Sequence, residues 1–326
     1  MSRFFVQILR FVLSGILLLP LNLWAASCCG GGSASSLILP KTAKMMWDIA
    51  FSHENYAGFW NTEGQHIDDP AGSDLNQYSL TSGFAYRLAN RWQASIQLPY
   101  LWNDNQYTGT TSKTDGLGDM TLGIWYETFD DIKCIWKVTD LASLMPAIYF
   151  GSSLTLPTGK SAYSGEVENS FDVTGRGSYR LDANIFIEKT IYPWSAGLQL
   201  AYGKYLERPV NEEFGRPVEP YDRLLGDRFS SSLSVGYTHF LDSLDTITIT
   251  SSFNHLQEQD GEIDGRKDAA VQGFKKQSVG LSFAYAKAAL DWVYKLSFNH
   301  ALQGNGRGEN FPTTNIINLG VSYAIR

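Results

Sequence analysis

Apolar and polar side chains alternate one by one along much of this chain. From Val173 to Glu188 the odd positions are Val173, Gly175, Gly177, Tyr179, Leu181, Ala183, Ile185 and Ile187. The even positions are Thr174, Arg176, Ser178, Arg180, Asp182, Asn184, Phe186 and Glu188. One register is apolar or small, and the other is polar apart from Phe186. Period-two alternation predicts a strand whose two faces meet different surroundings. The same pattern starts at Trp47, Tyr78, Trp92, Met120 and Ile148. It returns at Ala196, Phe229, Ile247, Val279, Leu290 and Ile317. The pattern thus predicts twelve strands, with Val173 opening the sixth.

The gaps between these segments alternate in length. Those at 54–74, 103–116, 157–172, 207–228, 258–276 and 303–313 are long and rich in Gly, Pro, Asp and Asn. Those at 89–91, 190–194, 241–244 and 286–289 are short. Long loops therefore gather at one end of the hairpins. The gap at 128–146 breaks the rule and reads as an insertion on the short-turn side, with room for a small helix.

Two architectures use repeated alternating strands. A soluble sandwich hides its apolar face in a core, with strands of ~5–6 residues. A transmembrane barrel turns that face to lipid, and its tilted strands need about 9–11 residues. Here the strands are long and even in number, and their loops alternate. Trp and Tyr crowd the ends of the apolar register, where a ring meets lipid on one side and water on the other. The expected fold is all-β: a transmembrane antiparallel β-barrel of about twelve strands over 43–326, with both termini periplasmic. Arg87, Arg176, Arg180, Asp182 and Lys295 then face the lumen.

The amino-terminal residues fit export. Arg3 and Arg10 flank an apolar run from Phe11 to Leu19, and Ala25, Ala26 and Ser27 follow. This predicts a signal peptide over 1–26. A Cys/Gly/Ser-rich periplasmic leader then occupies 27–42. Cys28 and Cys29 in it are candidates for lipidation or redox chemistry, against the plain reading of a flexible leader. No other segment has 18 consecutive apolar residues, which excludes a helical membrane bundle. The net charge of −7 makes nucleic acid a poor partner.

Few residues suggest chemistry. His255 and His300 sit in near-identical contexts, SFNHLQ and SFNHALQ, and His53 follows Phe51-Ser52. All three read as rim residues in the lipid-facing register. Catalytic Ser–His–Asn geometry is not evident, so an outer-membrane lipid hydrolase is the weakest of three readings. Asp260, Glu262 and Asp264 open like a calcium loop, but Val271 stands where a bidentate Glu is needed. They remain weak metal candidates, and no cofactor is expected. The mixed charges at 207–228, among them Arg208, Glu212, Glu213, Arg216, Glu219 and Arg223, suit either a gating loop or a surface flap.

The closing residues IINLGVSYAIR resemble the C-terminal strand that barrel assembly machinery recognises, although Ile325 and Arg326 replace the usual final aromatic. The segments GLGDMTLGIWYE (116–127) and SSLTLPTGKS (152–161) resemble the outer-membrane family of the MetA pathway of phenol degradation. That resemblance implies a barrel and the passage of small, often hydrophobic molecules, without fixing one. The expectation is a non-enzymatic channel in the outer membrane of a Gram-negative cell, carrying a small hydrophobic or aromatic solute by diffusion. Its partners are then lipid and lipopolysaccharide, the solute and the assembly machinery. The alternative is a barrel that scaffolds a periplasmic redox or metal-handling partner through the leader and the insertion.

Overall fold

A computed structural model describes residues 37–61, 63–128, 134–267, 272–287, 291–304, 306–308 and 312–326. Cys28 and Cys29 lie outside these residues. Twelve antiparallel strands form the wall: β1 (Met45–Trp60), β2 (Asp74–Ala89), β3 (Trp92–Tyr107), β4 (Met120–Glu127), β5 (Ala147–Leu156) and β6 (Arg180–Ile191). The second half is β7 (Trp194–Tyr205), β8 (Arg228–Phe240), β9 (Thr246–Glu258), β10 (Phe274–Lys287), β11 (Trp292–Ala301) and β12 (Pro312–Ile325). Each strand pairs with the next, and β12 pairs with β1 from Met45↔Ile325 to Phe59↔Pro312. The sheet is closed, so no edge is left without hydrogen-bond partners.

The apolar register faces out. Ile49, Leu80, Ile96, Leu98, Leu233, Val235, Ile249, Leu281, Phe283, Leu296 and Leu319 are all exposed large hydrophobics. Aromatic rings flank this band at both ends. On the side of the short turns, Trp47 packs on Phe84, Trp92 on Tyr126, Trp194 on Tyr237 and Trp292 on Tyr323, at 4.6–5.1 Å between centroids. On the side of the long loops, Tyr100 packs on Trp102 at 4.9 Å and Phe51 on Tyr78 at 6.3 Å. Tyr100 and Tyr202 turn their hydroxyls to Asp115 and Asp227 at that rim. Trp92 and Trp102 are ten residues apart on β3. At ~3.3 Å per residue and ~40° of tilt this is ~25 Å of height, the thickness of a barrel's lipid band. Lipid is the solvent that such an exterior fits.

The three rim histidines also face out. His53 stacks on Tyr78 with centroids 4.7 Å apart and meets Asn76 Oδ1 at 2.9 Å; His300 meets Asn315 Oδ1 at 2.7 Å. His255 lies beside Phe229.

Several boundaries differ from the sequence pattern. Strand β6 begins at Arg180 rather than Val173. Residues 173–179 alternate in sequence, but their hydrogen bonds go to other loops, so they lie off the wall. The 103–116 gap is largely strand: β3 runs to Tyr107 and pairs with Thr110–Leu117 beyond the membrane band. The 207–228 loop is a hairpin, Arg208–Glu213 with Arg216–Leu224, which joins Glu262–Ile263 and Arg266–Lys267 in a separate four-stranded sheet. The insertion holds a two-residue strand, Cys134–Ile135, parallel to Thr190–Ile191, and a single 3-10 turn at Ala142–Leu144.

Candidate functional site: the lumen

The inward register builds an asymmetric lumen. On the β1–β6 side it is filled. Trp125, Ala147 and Tyr149 are buried there and pack against Phe186, the exception in the polar register of β6. Phe186 is apolar because it faces other large side chains rather than water. The remaining volume is taken by the segment just before β1. Leu37, Leu39 and Ala43 are buried against Met46 and Ala85, and Ile38 lies on the Trp125–Tyr149 cluster. The buried Gln93 Oε1 accepts the Leu39 amide at 2.6 Å. Arg87 donates to the carbonyls of Ala43 and Pro40 at 2.9 and 3.0 Å, and Lys41 pairs with Glu127 at 2.9 Å. The flexible-leader reading therefore fails for 37–42. These residues gain buried apolar contact and satisfied backbone groups by entering the barrel.

On the β7–β12 side the lumen is open. A cavity of about 380 Å³ lies there, lined by Ser195, Gln199, Ser232, Ser234, Thr248 and Ser252, with Gly197, Gly280 and Gly320 between them. Two lumen lysines on these strands are matched: Lys295 with Asp48 at 3.6 Å and Lys276 with Glu54 at 4.0 Å. Glu188 also borders the cavity.

At the long-loop end, three glycine-bearing segments interlock. Asp119 accepts the amides of Gly159 (3.1 Å) and Arg176 (2.7 Å). Thr158 Oγ donates to the Gly118 carbonyl at 2.6 Å, and Thr174 Oγ to that of Leu117 at 2.7 Å. A side chain on Gly159 would meet the Gly175 backbone at 2.7 Å, so this crossing requires glycine. Burial pushes the Asp119 carboxyl up, and the two amides only partly offset it. The Gly-Leu-Gly-Asp and Leu-Pro-Thr-Gly segments singled out in the sequence thus hold one another. The loop they anchor folds inward over β3, where the buried Asn103 and Asn105 donate to the carbonyls of Val173 and Phe171.

That fold carries Arg176 across the long-loop end of the open half-lumen, over Tyr205 and Phe274. Arg176 pairs with Glu258, whose other oxygen accepts the Tyr205 hydroxyl at 3.0 Å. Arg180 pairs with Asp182 at 2.9 Å and reaches the same hydroxyl at 3.4 Å. Asp182 fits because its neighbour across the strands is Gly203, where a Cβ would stand 2.2 Å from the carboxylate. Arg176, Arg180 and Asp182 are thus brought together as lumen residues, whereas Arg87 and Lys295 lie in separate contacts.

The 208–224 hairpin leans on the inward loop. Arg208 and Arg223 lie over the Tyr163 ring at 5.2 and 4.9 Å, and Arg208 donates to the Gly177 carbonyl. Desolvation lowers the affinity of both guanidiniums for their proton. Glu212 reaches Gly165, Glu213 accepts the Tyr221 hydroxyl, and Arg216 and Glu219 are exposed. Sequence reasoning missed Tyr205 and Glu258, and counted Arg228 only among the mixed charges of the 207–228 loop. Their polarity is ordinary in a lumen register, and nothing local distinguishes them.

Asp260 accepts the Gly273 amide at 2.9 Å and both bonds of Arg307 at 3.0–3.1 Å, while Asp264 accepts the Asp222 amide at 2.8 Å. Glu262 pairs with Lys267 across the small sheet. Among the described residues no three His, Cys, Asp or Glu side chains converge as a metal site. The Gly273 amide, then Arg307, hold the Asp260 carboxyl below the usual range. A depressed folded value means its stabilisation is present above the unfolded pKa of about 3.9 and is lost as pH falls through the folded one. Hydrogen exchange at the Gly273 amide is therefore expected to be slow at neutral pH and to lose this protection only at pH below about 3.9, as Asp260 takes up its proton. Asp260→Asn should exchange fast throughout.

No family model matches the chain, and no curated protein matches it in sequence. Solved structures do. An outer membrane channel from Pseudomonas putida F1 aligns with a TM-score of 0.64 at 13% identity, over 90% of this chain and 99% of that one. The beta domain of the Bordetella autotransporter BrkA aligns with a TM-score of 0.50 at 13% identity, over 87% of this chain and all of that one. Both likenesses are of fold. Together with the apolar belt, they make this chain an outer-membrane β-barrel.

Proposed function

We propose that the barrel is a passive outer-membrane channel for a small, weakly polar solute, aromatic compounds included. The observation that carries this reading is the cavity along β7–β12. Its lining mixes Ser, Thr and Gly with apolar groups such as Phe186, Phe240 and Val293, its charges are few, and its volume of about 380 Å³ suits a single ring compound. The mechanism in this reading is passive diffusion. The Pseudomonas putida barrel of the same architecture carries the name of a channel.

Ser232→Phe with Ser252→Phe places two rings in the cavity. It is expected to slow entry of benzyl alcohol into proteoliposomes about tenfold or more, because ~1.4 kcal/mol of added barrier is enough. Leu233→Phe, one residue away on the lipid face, should leave the rate unchanged. Equal rates for all three proteins would defeat the channel reading.

The scaffold reading has one observation in its favour. Trp136, Val138, Leu141 and Leu144 on the insertion are exposed apolar residues at the short-turn end. It requires that solute flux be absent and that Cys28→Ser with Cys29→Ser abolish the cellular role.

A further inference from the structure

The roof of the open half-lumen holds more guanidinium than carboxylate. Strand register lays Asp182, Gly203, Arg228, Glu258 and Phe274 side by side across β6–β10. Arg176 crosses over this row, with its guanidinium 5.9 Å from the Tyr205 ring and 6.0 Å from that of Phe274. Arg176 and Arg180 are matched by Glu258 and Asp182, and the Asp119 carboxylate is taken up by two amides. Arg223 and Arg228 have no carboxylate oxygen within 4.0 Å among the described residues. Arg228 stands beside the Tyr205 hydroxyl, with Arg180 as a like-charged neighbour and Glu258, already paired with Arg176, as the nearby acid beyond ion-pair distance. The lumen lysines Lys276 and Lys295, on β10 and β11, are each paired with an acid, so the imbalance is local to the roof.

We propose that this roof binds the carboxylate of a small monoanionic solute through the Arg228 guanidinium, and leaves the solute's uncharged body directed toward the cavity, whose rim at Ser232 lies four residues along β8. This rests on the channel reading for the route of entry, but binding itself can be measured without transport. Two features select the class. A guanidinium fork matches a planar carboxylate with two parallel hydrogen bonds. Glu258, Asp182 and Asp119 together offset three of the four guanidinium charges, so the field that remains balances one negative charge and leaves the second charge of a dianion uncompensated. Glu188 does not oppose the site. It lies six residues beyond Asp182 on β6, roughly 20 Å at ~3.3 Å per residue, which is beyond a Debye length at physiological salt.

Calorimetric titration of the detergent-folded mature chain tests this with sodium benzoate, its neutral isostere benzamide, and inorganic phosphate. Benzoate is expected to bind at least about tenfold more tightly than either of the others. Arg228→Gln should remove at least about tenfold of that affinity, and Arg228→Lys, a point charge without the fork, should restore only part. Lys113→Gln, exposed on the hairpin that extends β3, should leave it unchanged. Benzamide binding as well as benzoate, phosphate binding better, or Arg228→Gln binding like the parent would each overturn the proposal. If Arg228→Gln fails to fold, as judged by heat-modifiable gel mobility, the benzoate-against-benzamide comparison on the parent decides alone. Benzyl alcohol flux is a separate measurement, so loss of the channel reading and loss of the carboxylate site are told apart.

Discussion

A chain whose mature part begins at Ala43 is expected to conduct about twice as well as the full mature chain, or better, in planar bilayers. Residues 37–42 run inside the wall, with Leu37 and Leu39 buried and the Leu39 amide bonded to Gln93. An extended segment fills a cross-section of about 5 by 10 Å, comparable with the passage that a twelve-stranded barrel leaves beside it. Its removal opens the β1–β6 side down to Trp125 and Tyr149. Arg87 loses its bond to Pro40 and Glu127 loses Lys41, so the shortened barrel should also unfold at lower denaturant concentration. Single-channel recordings on both proteins check the first claim and urea titrations the second. Equal conductance would mean that ions never use that side of the lumen.

The second large effect concerns the outside of the wall. Leu233→Arg is expected to cost about 2–4 kcal/mol of stability in lipid, the penalty for arginine near the midplane of a barrel. Leu233 is 55% exposed and lies between the two aromatic girdles on β8. Ser232→Arg, one residue earlier, faces the cavity and should cost far less, since its charge stays among water and hydroxyls. Reversible unfolding in phospholipid vesicles measures both. Similar costs at the two positions would contradict the assignment of faces on which the membrane reading depends.

The face assignment was legible because alternation is a local property. Trp47, Ile49 and Phe51 pointed out, and Arg180 and Asp182 pointed in, as their register required. The rim histidines fell where their duplicated contexts placed them. The same rule misled at Val173–Tyr179. Alternation there is genuine, but Asp119 and the Lys160 carbonyl offered the backbone other partners, and the segment became the base of the inward loop. A period of two says which faces differ; it does not say that a wall is present.

The 27–42 leader was harder still. Glycine and serine before it suggested mobility, and SLILP (36–40) was too short to carry a periodic signal. The place of residues 37–42 inside the lumen depends on Gln93, Arg87 and Glu127, whose own roles were hidden in the polar register. The roof of the open half-lumen was hidden for the same reason. Arg176 and Glu258 are 82 residues apart, and each alone is one more charged residue in a loop or at a strand end.

By itself, then, the sequence determined a twelve-strand barrel, its outward face and the end that carries the long loops. These follow from side-chain spacing along one strand and from the demand that backbone groups in lipid be paired. Tertiary structure alone decided which half of the lumen is filled, which loop folds inward and which arginines are left without acids. Those outcomes depend on volumes and charges meeting across distant strands, and no short stretch of sequence contains both partners.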